Sequence, residues 1–213
     1  YLYLQHLQRR QLEAESQARV QALQARIRPH FLFNSMNTIA ELTRSDPVLA
    51  EELVQDLADL FRVSLGEGGS TSLERELELA RRYLHLEHQR LGERLRVEWD
   101  LQDLPLDARL PPLVLQPLLE NAVYHGVEPM LEPGPIRIGG RYRRHQVNFS
   151  IRNQMPVADG GEHRQGNRLA LDNVRQRLEA HFDGQASLVA SRVEDDYQIR
   201  LAFPHPWFDS DAH

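Results

Sequence analysis

The apolar positions of the chain follow a helical rhythm first and a two-residue alternation later. Val20, Leu23, Ile27, Phe31 and Leu42 fall on one helical stripe, and no Pro or Gly interrupts Tyr1 to Arg28. Gln, Arg, Glu, Ala and Leu, all good helix formers, dominate the stretch. This predicts one long helix to about residue 45, bent at Pro29, where a backbone donor is missing. Asp46-Pro47 reads as the next helix start, Asp as cap and Pro at the first helical position. Leu49, Leu53, Leu57, Leu60 and Phe61 then share one face to about Leu65. A short connection between two amphipathic helices predicts an antiparallel hairpin. Gly66-Glu67-Gly68-Gly69-Ser70 breaks the pattern, and Thr71 with Glu74 forms a capping box for a third helix, Leu73 to about Leu91.

From about Arg94 the period changes to two. Leu95, Val97 and Trp99 alternate, then Ile136 and Ile138, then Val147, Phe149 and Ile151. Leu188 with Ala190, and Ile199, Leu201 and Phe203, repeat the pattern. These read as strands, with helices between them at about Pro112 to Tyr124 and Leu169 to Phe182. A sheet solvated on one face and covered by helices on the other is an α+β sandwich. The boundary is expected near Gly92: a helical region over 1–92, the sandwich over 93–204, and a loose tail over 205–213.

Composition narrows the reading. A chain of 213 residues, 41% hydrophobic and 26% charged, can build one large domain or two small ones. No apolar run approaches the roughly 20 residues of a membrane helix. The net charge of −6 argues against a sequence-independent grip on nucleic acid. Zero cysteines exclude disulfide and thiolate chemistry. The first residue is Tyr rather than Met, so part of a longer protein is expected. The first 26 residues are mostly polar and would hold poorly as a lone helix, which points to pairing with a second copy or to a neighbouring domain.

Two stretches offer chemistry. In Pro29-His30-Phe31-Leu32-Phe33-Asn34 the imidazole of His30 sits at the shoulder of the apolar stripe, where it reaches solvent. Asn34, one turn on, shares its face and can orient the ring by a hydrogen bond. In Leu115-Gln116-Pro117-Leu118-Leu119-Glu120-Asn121, followed by Ala122-Val123-Tyr124-His125-Gly126, a short helix projects Glu120, Asn121 and His125, the last two on one face. An Asn oxygen suits Mg²⁺, a hard cation that keeps water and phosphate in its shell. Asn and His near a helix end can equally be simple caps. His85-x-x-His88 has metal-ligand spacing but no third ligand nearby.

With Leu171-Asp172-Asn173-Val174-Arg175-Gln176-Arg177-Leu178, these two stretches resemble, in order and separation, the sensor histidine kinases of the LytS/YehU type. Within that group they look most like the sensors that regulate alginate and pili. The resemblance covers about residues 20–203. It implies a helical dimerisation and phosphoacceptor hairpin followed by a GHKL (Bergerat) ATP-binding sandwich. It further implies ATP and Mg²⁺ as cofactors, a homodimer, and a response regulator of LytTR type whose Asp receives the phosphoryl group. The expected location is the cytoplasmic side of an inner membrane, reached through an upstream segment.

Carried over residue by residue, the resemblance makes His30 the phosphoacceptor, with Asn34 beside it, and Asn121 the Mg²⁺ ligand. Glu120 would orient a Mg²⁺-bound water or assist proton removal, and His125 joins the cofactor-binding set. Asn153 stands where the family has the Asp that receives the adenine amino group; an amide oxygen can accept the same bond. Gly166 remains of the second glycine box, but Arg168 and Ala170 replace its other glycines, and Tyr124 replaces a lysine. Arg168 could return that missing charge as a planar fork, and Asn173 is expected near the nucleotide. Arg175 and Arg177 are expected on a solvated helix face. Pro117 occupies the place of a water-activating Glu, which favours transfer to a protein nucleophile over ATP hydrolysis. The alternative is a degenerate scaffold or phosphoryl relay with weak ATP binding.

Overall fold

The computed structural model describes residues 29–65, 69–155 and 163–207, with side chains over 30–64, 69–155 and 170–207. Contacts divide the chain into two compact units, meeting at Gly66 and Glu67.

In the first unit α1 (Pro29–Ser45) and α2 (Pro47–Leu65) pack on each other. The turn follows the sequence signal: the Asp46 carboxylate accepts from the Leu49 N–H at 3.1 Å, one turn into α2. Phe31, Ala50, Leu53 and Leu60 are buried between the helices. Phe33, Met36, Val48 and Val54 are exposed, so the hairpin leaves apolar surface uncovered. The part of the expected long helix before Pro29 lies outside the described residues.

The second unit is the α+β sandwich. Its elements are β1 (Thr71–Ser72), α3 (Leu73–Leu91), β2 (Val97–Gln102), β3 (Arg109–Leu110) and α4 (Leu115–Gly126). They continue as β4 (Ile136–Arg143), β5 (Gln146–Gln154), α5 (His163–His181), β6 (Ser187–Val193) and β7 (Asp196–Pro204). The five-stranded sheet has the order β2-β4-β5-β7-β6, with β2 parallel to β4 and the other pairs antiparallel. Strict alternation sends Ile136, Ile138, Val147, Phe149, Ile151, Leu188, Ile199, Leu201 and Phe203 to one buried face. There α4 lies on β4 and β5, α5 on β6, and α3 packs on α4.

Three expectations are corrected. The division falls at Gly66/Glu67 and not near Gly92, because the buried stripe of α3 (Leu73, Leu77, Ala80, Leu84) finds its partners in the sandwich. The cap of α3 is Ser72, whose hydroxyl accepts from the Arg75 N–H at 3.2 Å. Thr71 is instead paired with Leu110 across β1 and β3, a long-range pairing that overrides the local capping box. The tail begins packed rather than loose: Tyr142 donates to the His205 carbonyl at 2.9 Å, and the Trp207 ring meets Phe182 edge-on at 5.6 Å. Residues 208–213 lie outside the described set.

Candidate functional site

On α1, Phe31 turns into the hairpin, which leaves His30 exposed one position earlier. The Asn34 amide nitrogen stands 3.2 Å from both ring nitrogens of His30, so its N–H can donate to whichever one lacks a proton. Asn34 and His30 are therefore in contact as expected, and the His30 side chain is exposed.

In the sandwich, α4 gathers the second set. Most of this helix is buried against the sheet, which takes polar side chains in with it. Glu120 is buried and accepts from the Gln116 amide at 2.9 Å, one turn earlier. Asn121 is 1% exposed, and among the described residues neither its Oδ1 nor its Nδ2 has a hydrogen-bond partner. Leaving such groups unpaired costs about 1–3 kcal/mol each, a cost that a bound partner would relieve. His125 is half-buried at the far end, its ring edge-on to Tyr124 at 4.9 Å.

The last residue of α4 touches the next motif. A Cβ on Gly126 would lie 2.4 Å from Asn153 Nδ2 and 2.8 Å from its Cβ. Only glycine lets α4 approach β5 so closely. Asn153 is buried there and donates to the Gln154 carbonyl at 2.9 Å. Asn121, His125 and Asn153 are thus gathered by one helix and the strand beneath it.

Gly166 and Arg168 lie inside α5, which begins at His163, six positions before the expected Leu169; their side chains lie outside the described residues. Asn173 is exposed on the same helix. Arg177 does not decorate a solvated face. It is half-buried and donates to the carbonyls of Pro112 and Leu113 at 2.7 and 2.9 Å. Arg175 donates to Asp172 and to the Leu188 carbonyl.

Glu76 went unnoticed in the sequence. It is 1% exposed on α3 and accepts from the N–H groups of Leu113, Val114 and Leu115 at the start of α4. Burial pushes its carboxyl above its ordinary value of 4.5, opposed by those three donors and by the Arg177 charge. Its signal was available: a carboxylate three residues after Leu73 and four before Ala80 sits on the apolar stripe.

No group of three or more His, Cys, Asp or Glu side chains among the described residues could hold a metal by itself. A single unpaired amide oxygen fits Mg²⁺ only in company with phosphate and water, which is how that ion is usually held. Among the described residues no helix is long and apolar enough to cross a membrane.

Comparison with known proteins places these features. The family model described as histidine kinase matches residues 18–95. The chain is 31% identical over 201 residues to the sensor histidine kinase BtsS of Escherichia coli K12, covering 94% of this chain and 35% of that protein. It is 30% identical to the sensor protein LytS of Staphylococcus saprophyticus, over 88% of this chain and 34% of that one. It is 32% identical to the uncharacterised protein YwpD of Bacillus subtilis, over 84% of this chain and 67% of that one. The chain thus spans about a third of the length of BtsS and LytS. With the exposed histidine at the head of its hairpin and similarity that runs through the sandwich, the chain belongs to the histidine kinase family.

Proposed function

We propose that this chain is the catalytic portion of a two-component sensor, which phosphorylates His30 from ATP and passes the group to an Asp of a response regulator. The observation that carries the reading is Asn121: a fully buried amide whose two polar atoms have no partner among the described residues. Buried amides usually find partners on folding, and the ion with its phosphates would supply one here.

The chemistry asks little covalent help from the protein, because phosphoryl transfer depends on positioning and charge. The neutral His30 ring nitrogen gives its lone pair to the γ-phosphorus of ATP. The N–P bond forms as the bond to the β,γ-bridging oxygen breaks, and ADP leaves. Asn34 contacts the ring at 3.2 Å and would orient it, while the His30 side chain stays exposed. Mg²⁺, when bound, neutralises charge on the phosphates. Asn121 would hold it, and His125 stands one turn away on the same face. Glu120, fixed by Gln116, would orient a water or receive a proton. Asn153 would accept a hydrogen bond from the adenine amino group, Gly166 and Arg168 on α5 would lie toward the phosphates, and Asn173 would lie near the nucleotide.

The exposed Phe33 and Met36 support a homodimer through the hairpin. The motif likeness supports a regulator of LytTR type, an output in alginate or pilus control, and attachment to the inner membrane through a segment upstream of Tyr1. The rival is a degenerate scaffold, favoured by Arg168 and Ala170 in place of glycines.

Incubation with γ-labelled ATP and Mg²⁺ separates the two. The wild type is expected to acquire acid-labile, alkali-stable label; His30→Ala acquires none, and Asn121→Asp loses at least tenfold in rate. In the same series Arg168→Ala weakens ATP binding well beyond Arg143→Ala on the exposed surface. A wild type that binds no ATP at millimolar concentration refutes the kinase in favour of the scaffold.

A further inference from the structure

The helix that carries Glu120 and Asn121 has no cap of its own. Val114 stands at its N-cap position without a side-chain bond. The first four N–H positions of any helix lack intrahelical acceptors. Here one of those positions is Pro117, which has no N–H. Glu76 serves two of the others: its Oε2 accepts from Val114 at 2.8 Å and from Leu115 at 3.0 Å. Its Oε1 accepts from Leu113 at 2.6 Å.

Leu113 itself is held at a φ of +57°, a conformation uncommon for any side-chain-bearing residue. Its carbonyl and that of Pro112 accept from the two terminal guanidinium nitrogens of Arg177. One short loop is therefore gripped on its N–H groups by a carboxylate from α3 and on its carbonyls by a fork from α5.

The other end of α4 is anchored separately. Arg90 of α3 bridges to Glu128, and Arg94 donates to the carbonyls of Val127, Glu128 and Met130. Gly126 rests on Asn153. Releasing the first end alone would let α4 pivot about the second, and Asn121 lies between them.

We propose that Glu76 and Arg177 are positioning residues of the nucleotide site. They set where α4 presents the Asn121 oxygen, and they tie that setting to α5, the helix that holds Gly166, Arg168 and Asn173. The proposal rests on the reading of Asn121 as the Mg²⁺ ligand. Neither residue belongs to that ligand set; both act through α4.

The test measures ATP binding to the 213-residue chain by calorimetry across a Mg²⁺ titration, with urea unfolding beside it. Removing a group that orients a metal ligand commonly costs 10–100-fold in metal affinity. Glu76→Gln and Arg177→Gln are therefore expected to raise the Mg²⁺ needed for half-maximal binding at least tenfold. Affinity for ATP without Mg²⁺ should change by no more than about twofold, since the adenine contact at Asn153 is untouched. Arg177→Lys should recover part of the loss, because it keeps the charge and gives up the fork. Should Glu76→Gln fail to fold, Arg177→Gln decides, since Glu76 then keeps its three N–H donors. A lowered urea midpoint with unchanged Mg²⁺ dependence means a merely structural role and overturns the proposal alone. A wild type that binds no ATP sinks the Mg²⁺-nucleotide reading and this proposal with it.

Discussion

Replacing Gly126 by alanine sets two opposing effects against each other at the seam between α4 and β5. An added Cβ would stand 2.8 Å from both Cβ and Cγ of Asn153 and 2.4 Å from its Nδ2. Carbon atoms prefer about 3.5–4.0 Å, so helix or strand must give by roughly 1 Å. The amide could rotate, at the cost of its bond to the Gln154 carbonyl. The Asn153 Cβ cannot, because β5 is paired on both sides, with Asn153 opposite Tyr197 and Arg152 opposite Arg137. Overpacking of this kind costs about 1–3 kcal/mol. Against it stands the gain of alanine over glycine in a helix, at most about 1 kcal/mol and less at the final residue. The expected net loss is about 1–2 kcal/mol. Urea unfolding followed by tryptophan fluorescence reads it cleanly, because Trp99 and Trp207 both belong to the second unit. With a slope of about 2 kcal/mol per molar urea, the midpoint should fall by roughly 0.5–1 M. ATP affinity should fall too, as the residue proposed to face adenine is displaced. An unchanged or raised midpoint would refute the close-approach argument.

Two further outcomes are expected. The raised Glu76 carboxyl means that the native state holds this proton more tightly than the unfolded chain. Its contribution is complete below the ordinary value of 4.5 and is lost as pH rises through the raised native value. The stability difference between wild type and Glu76→Gln, from urea midpoints between about pH 4 and about pH 8, should therefore move against the wild type as pH rises; the opposite trend would reverse the assignment. Phe33, 66% exposed, and Met36, 55% exposed, should matter to assembly more than to folding. The Phe33→Glu/Met36→Glu double variant should sediment as a monomer with its helical circular dichroism largely kept; an unshifted dimer would place the contact elsewhere on the chain.

What the sequence disclosed was whatever depends on near neighbours. Asp46 capping α2 needs only three residues of context, and the alternation of Val147, Phe149 and Ile151 needs only the pleat. The His30–Asn34 pair is one helical turn. What it hid depends on partners far along the chain. Thr71 satisfies the pattern of a capping residue, yet β3 claims it from some forty positions away and passes the role to Ser72. The apolar stripe of α3 is plain, but nothing local says that it belongs with α4, so the division near Gly92 was placed too late. Arg177 reads as one of two arginines on a polar helix, and only its seat beside Pro112 distinguishes it from Arg175.

The start of α4 shows how such a hidden partner can be inferred. The run Leu110-Pro111-Pro112-Leu113-Val114-Leu115-Gln116-Pro117 contains no Ser, Thr, Asp or Asn, the side chains that normally cap a helix from within. Yet the helix after it is buried almost throughout, where unpaired N–H groups are expensive. An uncapped, buried helix start requires an acceptor from elsewhere in the fold. A chain offers few acceptors that can serve several donors at once, and a carboxylate on an apolar stripe is the foremost of them. Glu76, flanked by Leu73, Leu77 and Ala80, meets that description. A missing cap at one position and a misplaced charge at another, neither informative alone, together specify the contact that fixes the helix of Asn121.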